Sequence, residues 1–337
     1  MTDIGTTAAI FGCLGPSLSP DEHAFFRDAD PFGFIIFARN VETPDQLYRL
    51  TSDLRASVGR NAPVLVDQEG GRVQRLRSPH WREWAPPFDT IAAAKDLTAA
   101  CRMMALRATL IAAELRAVGI DTNCAPVADI ASHATHPFLR NRCYGTDAVS
   151  VTAISRAIAH AYLAGGVLPV IKHMPGHGRA SGDTHLDLPT VTTDVATLSA
   201  TDFAPFRALA DLPMAMTAHI IFSAYDAQNP ATQSQRMIDT IRTNIGFNGL
   251  LLTDDLNMQA LSGTLGQRTA KSIQAGCDIA LHCKGDIAEM RAVAAAAGPM
   301  RAETRARAGA ALAHRTTAHK IDIAAVEAAL AQEMAHA

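Results

Sequence analysis

A short segment of the sequence, KHMPGHGRASGDTHLDLP at positions 172–189, carries three histidines, two aspartates and three glycines without helical or strand periodicity. Packing does not account for so many titratable groups in a loop, so chemistry is the better explanation. Asp183 and His185 are two residues apart, and side chains at this spacing point the same way in extended backbone. The Asp183 carboxylate can then hold one imidazole nitrogen of His185 while the other faces a ligand, an arrangement that transfers protons. A surface turn in which both side chains cap backbone groups is the alternative.

The other two histidines of this segment raise the question of a metal site. His173 and His177 have the four-residue spacing of zinc ligands on a helix. Pro175 and the glycines on either side of His177 are incompatible with that helix, and the segment lacks the Gly-Lys-Ser/Thr of a phosphate-binding loop. We therefore expect neither a metal nor another cofactor. A metal-dependent hydrolase remains an alternative, and its ligands would be His173, His177, His185 and Asp183.

A pair of acids follows the apolar run GLLLT. An aspartate at the end of such a run commonly caps the next helix, but Asp254 and Asp255 are adjacent, so one can cap while the other projects toward a ligand. A carboxylate that attacks carbon, together with a second group that protonates the leaving oxygen, supports a displacement reaction. These two aspartates and His185 are therefore candidates for one catalytic site.

Several other polar residues also end apolar runs. Asp67 lies in VDQEGG, Asp129 in APVADI and His219 in MTAH, while Lys172 and His173 end LPVIKH. Hydrogen-bond donors for a polar ligand, including one with a carboxylate, are Arg72, Arg75, Arg140, Arg142 and Lys172. Trp81 and Trp84, in HWREWAPP, fit better as buried anchors of a loop than as a platform for a sugar ring.

The segments that must position these residues alternate between strand and helix patterns. Eight continuous apolar runs predict strands buried on both faces, as in a parallel sheet covered by helices. The runs are 9–14, 33–38, 63–67, 119–127, 168–173, 213–219, 249–254 and 277–283. Helical patterns lie between them, at 43–58, 91–118, 148–165, 194–209, 235–245 and 266–276. The alternation predicts an α/β fold, a single (β/α)8 TIM barrel over 1–337 with a C-terminal helical tail from about residue 286.

A doubly wound open sheet is the alternative architecture, but no G-x-G-x-x-G follows the first strand. In a barrel, the carboxyl ends of the strands meet over one face and build the active site. The polar residues named above follow five different predicted strands at those ends, so we expect them to share one site.

Composition limits the partners. The formal net charge is -3 and no cluster of basic residues is present, which argues against nucleic acid and anionic membranes. No segment reaches the ~18 apolar residues of a membrane span, and the N-terminal residues lack the basic start of a secretion signal. Six scattered cysteines without a paired spacing predict reduced thiols of the core. We therefore expect a cytoplasmic protein that acts on a small molecule.

At this level of detail the sequence resembles a known family. KHMPGHGRASGDTH is similar to the K-H-F-P-G-H-G-x-x-x-x-D-S-H signature of the family-three glycoside hydrolases that act as bacterial β-N-acetylglucosaminidases. The similarity extends through VDQEGGRVQRLR, APVADI, NRCYG, MTAHIIFSAYD, GFNGLLLTDDLNM and AGCDIALHC, in family order to about Gly285. Departures from the family pattern are Met174 for Phe, Arg179-Ala180 for Asp-Thr, Thr184 for Ser, and Asn141 before Arg142.

The resemblance implies a role for each matching residue. Asp254 matches the catalytic nucleophile, His185 the general acid/base and Asp183 its partner. The residues that match those binding the terminal N-acetylglucosamine are Asp67, Arg75, Arg142, Lys172 and His173. The implied activity is hydrolysis of terminal, non-reducing N-acetylglucosamine from 1,6-anhydro-N-acetylmuramic acid or its peptide conjugates, in cytoplasmic recycling of peptidoglycan. We expect a monomer that binds this sugar substrate and needs no cofactor.

Two rival functions share this site. In substrate-assisted hydrolysis the acetamide oxygen of the sugar attacks, and one of the two aspartates holds it. A sugar-binding protein without catalysis would lack the nucleophile or the acid/base, and both are present. We further predict that the loop bearing His185 is mobile, because glycines at 176, 178 and 182 leave it without rigid support.

Overall fold

The computed structural model describes residues 3–133, 135–180, 188–317 and 320–335. Its centre is a closed barrel of eight parallel strands, which confirms the predicted (β/α)8 fold. In chain order the barrel strands are β1 (Thr7–Gly12), β2 (Pro31–Ile36), β3 (Val64–Val66), β4 (Thr122–Asn123), β5 (Leu168–Met174), β7 (Met214–Thr217), β9 (Leu250–Asp255) and β10 (Ile279–His282). Each overlaps one of the eight predicted runs. Two short strands outside the barrel, β6 (Thr190–Val191) and β8 (Ile221–Phe222), pair with each other.

Helices cover the outside of the barrel. In chain order they are α1 (Pro20–Ala29), α2 (Pro44–Ser57), α3 (Pro87–Ala92), α4 (Leu97–Ala117), α5 (Pro137–Arg140), α6 (Ala148–Ala164), α7 (Val195–Ala200), α8 (Ala204–Ala208), α9 (Gln235–Thr240), α10 (Leu265–Ala275), α11 (Ile287–Ala297), α12 (Ala302–Ala313) and α13 (Ile323–Ala335). A π-helical turn, Ile241–Ile245, continues α9. The strands are buried on both faces, as their continuous apolar sequences require.

Local hydrogen bonds explain where the helices differ from the predicted ones. The helix expected over 91–118 is two helices, because the Asp96 side chain accepts from the backbone N–H of Ala99 and starts α4 afresh. The helix expected over 194–209 is also interrupted, between Thr201 and Phe203. Sequence analysis did not predict α1, although Ser19 and Glu22 form a capping box at its start.

Three helices follow Gly285, in the region expected to be a helical tail. The first, α11, packs against β1 and β10 and completes the eighth strand–helix unit. The second, α12, lies at the N-terminal end of the barrel, where Thr304 and Arg307 contact Asp278 just before β10. The last, α13, packs on α4. In the described part of the chain, no helix has the length and apolarity needed to cross a membrane.

Candidate active site

A cavity of about 460 Å³ opens at the carboxyl end of the barrel strands. This is the face at which TIM barrels carry their chemistry. Its polar lining residues include Asp67, Arg72, Arg75, His136, Arg142, Lys172, His173, His177, Asp254 and Asp255, and its apolar ones include Phe37, Phe138, Met216, Met258 and Leu281. Side chains from the carboxyl ends of β5 and β9 and from the loops after β3, β4 and β5 thus meet in one place.

Asp254 lies at the end of β9 and lines this cavity. One of its oxygens accepts a hydrogen bond from the backbone N–H of Asp255, at 2.8 Å. Burial alone would raise the pKa of the Asp254 carboxyl, but His219 and His173 favour its charged form, and the backbone N–H of Asp255 and the Lys172 ammonium add to this. The pKa of Asp254 therefore lies below its ordinary value. The result is a half-buried carboxylate that is ionised at neutral pH.

Asp255 also lines the cavity, but its carboxylate is engaged by the backbone. It accepts from the N–H groups of Asn257, at 3.1 Å, and Cys283, at 3.2 Å. Burial, together with the neighbouring Asp254, raises the pKa of Asp255 to about 6 despite these bonds. The two adjacent acids thus differ: Asp255 holds the local backbone, and Asp254 remains available for a ligand.

Asp67, at the end of β3, is surrounded by cations. Its two oxygens accept from the Lys172 ammonium, at 2.8 Å, and from the Arg75 guanidinium, at 3.0 Å. Burial would raise the pKa of the Asp67 carboxyl, but the charges of Lys172 and Arg75 hold it well below its usual range. This carboxylate is a strong hydrogen-bond acceptor in a fixed position.

Glu69 is a buried charge that sequence analysis missed. The Arg142 guanidinium donates to both of its oxygens, each at 2.8 Å, and the Lys172 ammonium lies 2.6 Å from one of them. Burial opposes its ionisation, but Arg142 and Lys172 outweigh burial and lower its pKa. A signal was present in the sequence, because Glu69 is two residues after Asp67 in VDQEGG. Its role is to fix two cations that line the cavity.

His173 is oriented by a carboxylate behind it. Its Nδ1 lies 2.7 Å from an oxygen of Asp129, and its Nε2 lies 3.3 Å from the Arg142 guanidinium. The other oxygen of Asp129 accepts from the backbone N–H of His177, at 2.7 Å. Burial, with His173 nearby, lowers the pKa of His177 to about 4, so its ring is neutral at working pH. Asp129 therefore positions both histidines without lining the cavity itself.

His219 contacts the backbone at the carboxyl end of β9. Its Nε2 lies 3.1 Å from the carbonyl oxygen of Asp255 and donates to it, while Nδ1 lies 2.8 Å from the Thr232 hydroxyl. The ring is fully buried, and burial lowers its pKa. Its contact with the Asp255 backbone fixes the carboxyl end of β9, which carries Asp254.

The start of the glycine-rich segment is tightly packed. A Cβ atom at Gly178 would lie 1.8 Å from the carbonyl oxygen of Ile130, and one at Gly176 would lie 3.1 Å from Asp202. These two glycines therefore permit close backbone packing, and the reason given above for a mobile loop is wrong for them. Gly182, Asp183 and His185 lie outside the described residues.

The remaining candidates divide between the cavity and its surroundings. Arg72 lines the cavity and stacks on the Phe138 ring, with its guanidinium carbon 3.4 Å from the ring centroid. Arg140 instead donates to the backbone of Ser132 and is absent from the cavity lining. Trp81 is buried and Trp84 packs against the core, as predicted for loop anchors.

The cysteines are free thiols, as predicted from their spacing, and five of the six are buried. Cys283 has a location that the sequence did not indicate, because it lines the cavity. Burial raises its pKa well above the usual value, so it is a poor nucleophile.

A metal centre finds no support in the described residues, where no group of three or more histidine, cysteine or acidic side chains could hold an ion. Asp129 engages the His173 ring at Nδ1 and contacts His177 only at its backbone N–H. The other proposed ligands, Asp183 and His185, lie outside the described residues.

The fold and the cavity together define a TIM-barrel enzyme with an ionised aspartate at a strand end. Comparison with known proteins gives the family. A model of the glycosyl hydrolase family 3 N-terminal domain matches residues 21–314. Beta-hexosaminidase of Methylococcus capsulatus is 37% identical over 281 residues, covering 81% of this chain and 82% of that protein. Beta-hexosaminidase of Bordetella pertussis is 35% identical over 282 residues, covering 82% and 79%.

Comparison with solved structures indicates the same family. A family 3 β-N-acetylglucosaminidase from Paenibacillus superposes with a TM-score of 0.86 at 26% identity, covering 97% of this chain and 67% of that one. NagZ from Neisseria gonorrhoeae superposes with a TM-score of 0.84 at 28% identity, covering 99% and 98%. The chain belongs to glycosyl hydrolase family 3, and within it to the β-N-acetylhexosaminidase type.

Proposed function

We propose that this protein is a retaining exo-β-N-acetylglucosaminidase. Its proposed substrates are peptidoglycan fragments that end in a non-reducing, β-linked N-acetylglucosamine, namely N-acetylglucosaminyl-1,6-anhydro-N-acetylmuramic acid and its peptide conjugates. The products are free N-acetylglucosamine with retained configuration and the shortened fragment. We further propose that it acts in the cytoplasm as a monomer, since one chain supplies every group of the proposed cycle.

The observation that carries the proposal is the environment of Asp254. It is a half-buried carboxylate that lines the cavity and is kept ionised by its neighbours. An ionised carboxylate beside the anomeric carbon attacks it and forms a covalent glycosyl-enzyme. Asp255 is less suited to this role, because two backbone N–H groups bond its Oδ1 and its pKa is raised to about 6.

The cations and carboxylates across the cavity are proposed to bind the terminal sugar. Asp67 accepts hydrogen bonds from sugar hydroxyls, and Lys172 and Arg75 donate to them. The remaining proposed sugar ligands are Arg142 and His173. All five line the same cavity as Asp254. Asp67 pairs with Arg75 and Lys172, while Arg142 pairs with Glu69 and His173 with Asp129, and these contacts hold the five side chains in place before the sugar binds.

Proton transfer is assigned to His185, with Asp183 as its partner. In the first displacement protonated His185 donates to the leaving oxygen while Asp254 bonds to the anomeric carbon. In the second, neutral His185 takes a proton from water, which attacks the same carbon and releases Asp254. An imidazole with an ordinary pKa near ~6.5 serves both steps at neutral pH. This assignment rests on the sequence alone, because both residues lie outside the described part of the chain.

Relatives support the choice of sugar. The structure from Paenibacillus is of a β-N-acetylglucosaminidase, and NagZ from Neisseria gonorrhoeae has been solved in complex with N-trifluoroacetyl-D-glucosamine, at 27% identity and a TM-score of 0.80. A cavity of about 460 Å³ is of a size to hold one such sugar.

The test is to trap the intermediate. The enzyme would be incubated with a 5-fluoro analogue of an activated N-acetylglucosaminide, which keeps the acetamido group but slows both displacements. We expect a covalent adduct on the peptide that contains Asp254, located by tandem mass spectrometry. Asp254→Asn should give no adduct, and the matched variant Asp255→Asn should still give one at Asp254. Turnover by wild-type enzyme without any adduct would indicate the substrate-assisted route instead.

A further inference from the structure

The first residues after β5 leave the barrel as a turn, residues 175–180, which we call the stem. At its end the Arg179 side chain reaches a neighbouring turn between α7 and α8. Its Nε donates to a carboxylate oxygen of Asp202, at 2.7 Å, and its Nη2 donates to the Thr201 hydroxyl, at 3.1 Å. The Thr201 hydroxyl donates to the same oxygen of Asp202, at 2.7 Å. One guanidinium thus engages both polar side chains of that turn.

Asp202 contacts the stem a second time. The backbone at Gly176 passes so close that a Cβ there would lie 3.1 Å from both the Asp202 Cβ and its carbonyl oxygen. The Asp202 side chain is only 5% exposed, so its charge depends on Arg179 for compensation. Asp202 therefore fixes the stem both at its beginning and near its end.

The opposite side of the stem is held by the loop after β4. Gly178 packs on Ile130, the Thr135 hydroxyl donates to the Gly178 carbonyl, and the backbone N–H of His136 donates to the Ala180 carbonyl, at 3.3 Å. The Ala180 side chain is buried in the same apolar cluster as Met174 and Phe203. The stem therefore packs between two loops, the one after β4 and the turn between α7 and α8, and Arg179 makes its charged contact with the second.

We propose that Arg179 and Asp202 form a positioning pair for proton transfer. By fixing the end of the stem, the pair sets the point at which the chain enters residues 181–187 and so aligns His185 with the leaving oxygen. This inference rests on the role proposed above for His185. Neither Arg179 nor Asp202 lines the catalytic cavity, so they act through the backbone rather than on the sugar. A proton donor displaced by a fraction of an ångström loses much of its effect.

A positioning role differs from a purely structural one in its dependence on the leaving group. Protonation of the leaving oxygen matters for a simple alcohol and hardly matters for an activated phenol, which leaves as an anion. Misalignment of the acid should therefore slow the cleavage of alkyl N-acetylglucosaminides and spare that of dinitrophenyl ones. Loss of folded enzyme would slow both equally.

The experiment measures kcat/KM for a series of aryl and alkyl β-N-acetylglucosaminides with wild type, Arg179→Met, Asp202→Asn and the double variant. We expect about a tenfold loss with alkyl substrates and less than about twofold with the dinitrophenyl substrate. The double variant should lose no more than either single variant, because both remove one interaction. Arg179→Lys, which keeps the charge but not the planar geometry, should recover part of the loss. The control is Arg156→Met, which breaks the exposed ion pair with Asp211 and should leave the whole series unchanged.

Equal losses across the series, or no loss, would overturn the positioning role. His185→Ala in the same series separates this failure from that of the proposed function. If His185→Ala shows the dependence on leaving group and Arg179→Met does not, only the positioning pair is wrong. If His185→Ala also lacks the dependence, the acid/base assignment itself is wrong. Unfolding midpoints of all variants show whether each is folded, and Asp202→Asn, which keeps the shape of the side chain, is the safeguard if Arg179→Met does not fold.

Discussion

Two aspartates at opposite ends of the barrel, the buried Asp278 and the half-buried Asp254, differ in their hydrogen-bond partners. Asp278, at the N-terminal end, accepts hydrogen bonds from Arg242 at 2.6 Å and Arg307 at 2.9 Å, and also from the Thr304 hydroxyl and a backbone N–H. Asp254, at the opposite end, accepts one backbone N–H within the described part of the chain. The first carboxylate has its hydrogen-bonding capacity filled by the protein, and the second keeps capacity for a substrate.

The two ends of the barrel therefore have different tasks: the N-terminal end contributes to stability, and the C-terminal end carries the groups proposed for catalysis. The N-terminal end is closed by α12, whose Arg307 completes the shell of Asp278, and Asp121 at the same end is paired with Arg55 and Arg315. At the C-terminal end, Asp254 and Asp255 place two acids side by side, and the pKa of Asp255 rises to about 6. Such unfavourable placement of charge is common at catalytic sites.

The largest expected effect is on catalysis, at Asp254. Asp254→Asn keeps the size and one acceptor oxygen but removes the nucleophile, so we expect kcat to fall about 10⁴-fold on 4-nitrophenyl N-acetyl-β-D-glucosaminide. The same steady-state assay on Asp278→Asn, at a temperature where that variant is folded, should give nearly wild-type kcat. A residual activity of Asp254→Asn within tenfold of wild type would contradict the assignment.

The next effect is on stability, at Asp278. Asp278→Asn removes the buried counter-ion of two partly buried guanidinium groups, which should cost about 2–3 kcal/mol of unfolding free energy. Urea denaturation followed by circular dichroism measures this. Asp211→Asn, which breaks an exposed pair with Arg156, is the matched control and should cost less than about 1 kcal/mol. Similar losses of unfolding free energy in the two variants would mean that the ion pairs of Asp278 stabilise the fold no more than an exposed pair does.

A smaller effect is expected on substrate binding, at Asp67. Asp67→Asn removes a carboxylate that two cations hold ionised, and Glu69 still compensates Lys172. We expect kcat/KM to fall about 10- to 100-fold, because a charge-assisted acceptor for sugar hydroxyls is lost. The exposed Asp53 on α2 serves as a control, and Asp53→Asn should change nothing. Unchanged kinetics for Asp67→Asn would remove it from the sugar site.

The smallest expected effect concerns Asp255 and depends on pH. Its pKa is about 6 in the folded protein and near ~3.9 in an unfolded chain. The folded state therefore binds more protons between these values, and stability falls as the pH rises through this window. Asp255→Asn removes this cost, so we expect a gain of about 1–2 kcal/mol at pH ~8 that disappears near pH ~4, measured by urea denaturation at both values. A gain of equal size at both would point to packing rather than charge.

The sequence predicted the barrel because each strand is a continuous apolar run, which is a strong local signal. Helix breaks were harder, since α4 starts at a single capping contact of Asp96 and α8 starts after Phe203 without any side-chain cap, both within otherwise helical patterns. The meeting of Asp67, Lys172, His173 and Asp254 in one cavity was predictable because each lies at or just beyond the carboxyl end of a strand. Glu69 was not, because nothing local shows that its partners are Arg142 and Lys172, which are distant in the sequence.

Gly176 and Gly178 show a second limit of sequence reasoning. A glycine can provide freedom or close contact, and the residue type alone does not distinguish the two. Only the position of Ile130 against Gly178 shows that close contact is the reason here. The mobility of the loop bearing His185 stays a prediction, and Gly176 and Gly178 no longer serve as a reason for it.

The burial of Glu69 has a consequence for ligand affinity. Because Glu69 immobilises the Arg142 and Lys172 side chains in the empty enzyme, a ligand that docks against them does not have to restrict two long, rotamer-rich chains. Each such restriction would otherwise weaken binding by about 0.5–1.5 kcal/mol. Glu69, which is not among the residues that line the cavity, can thus raise the affinity for the ligand by reducing the side-chain entropy lost on binding.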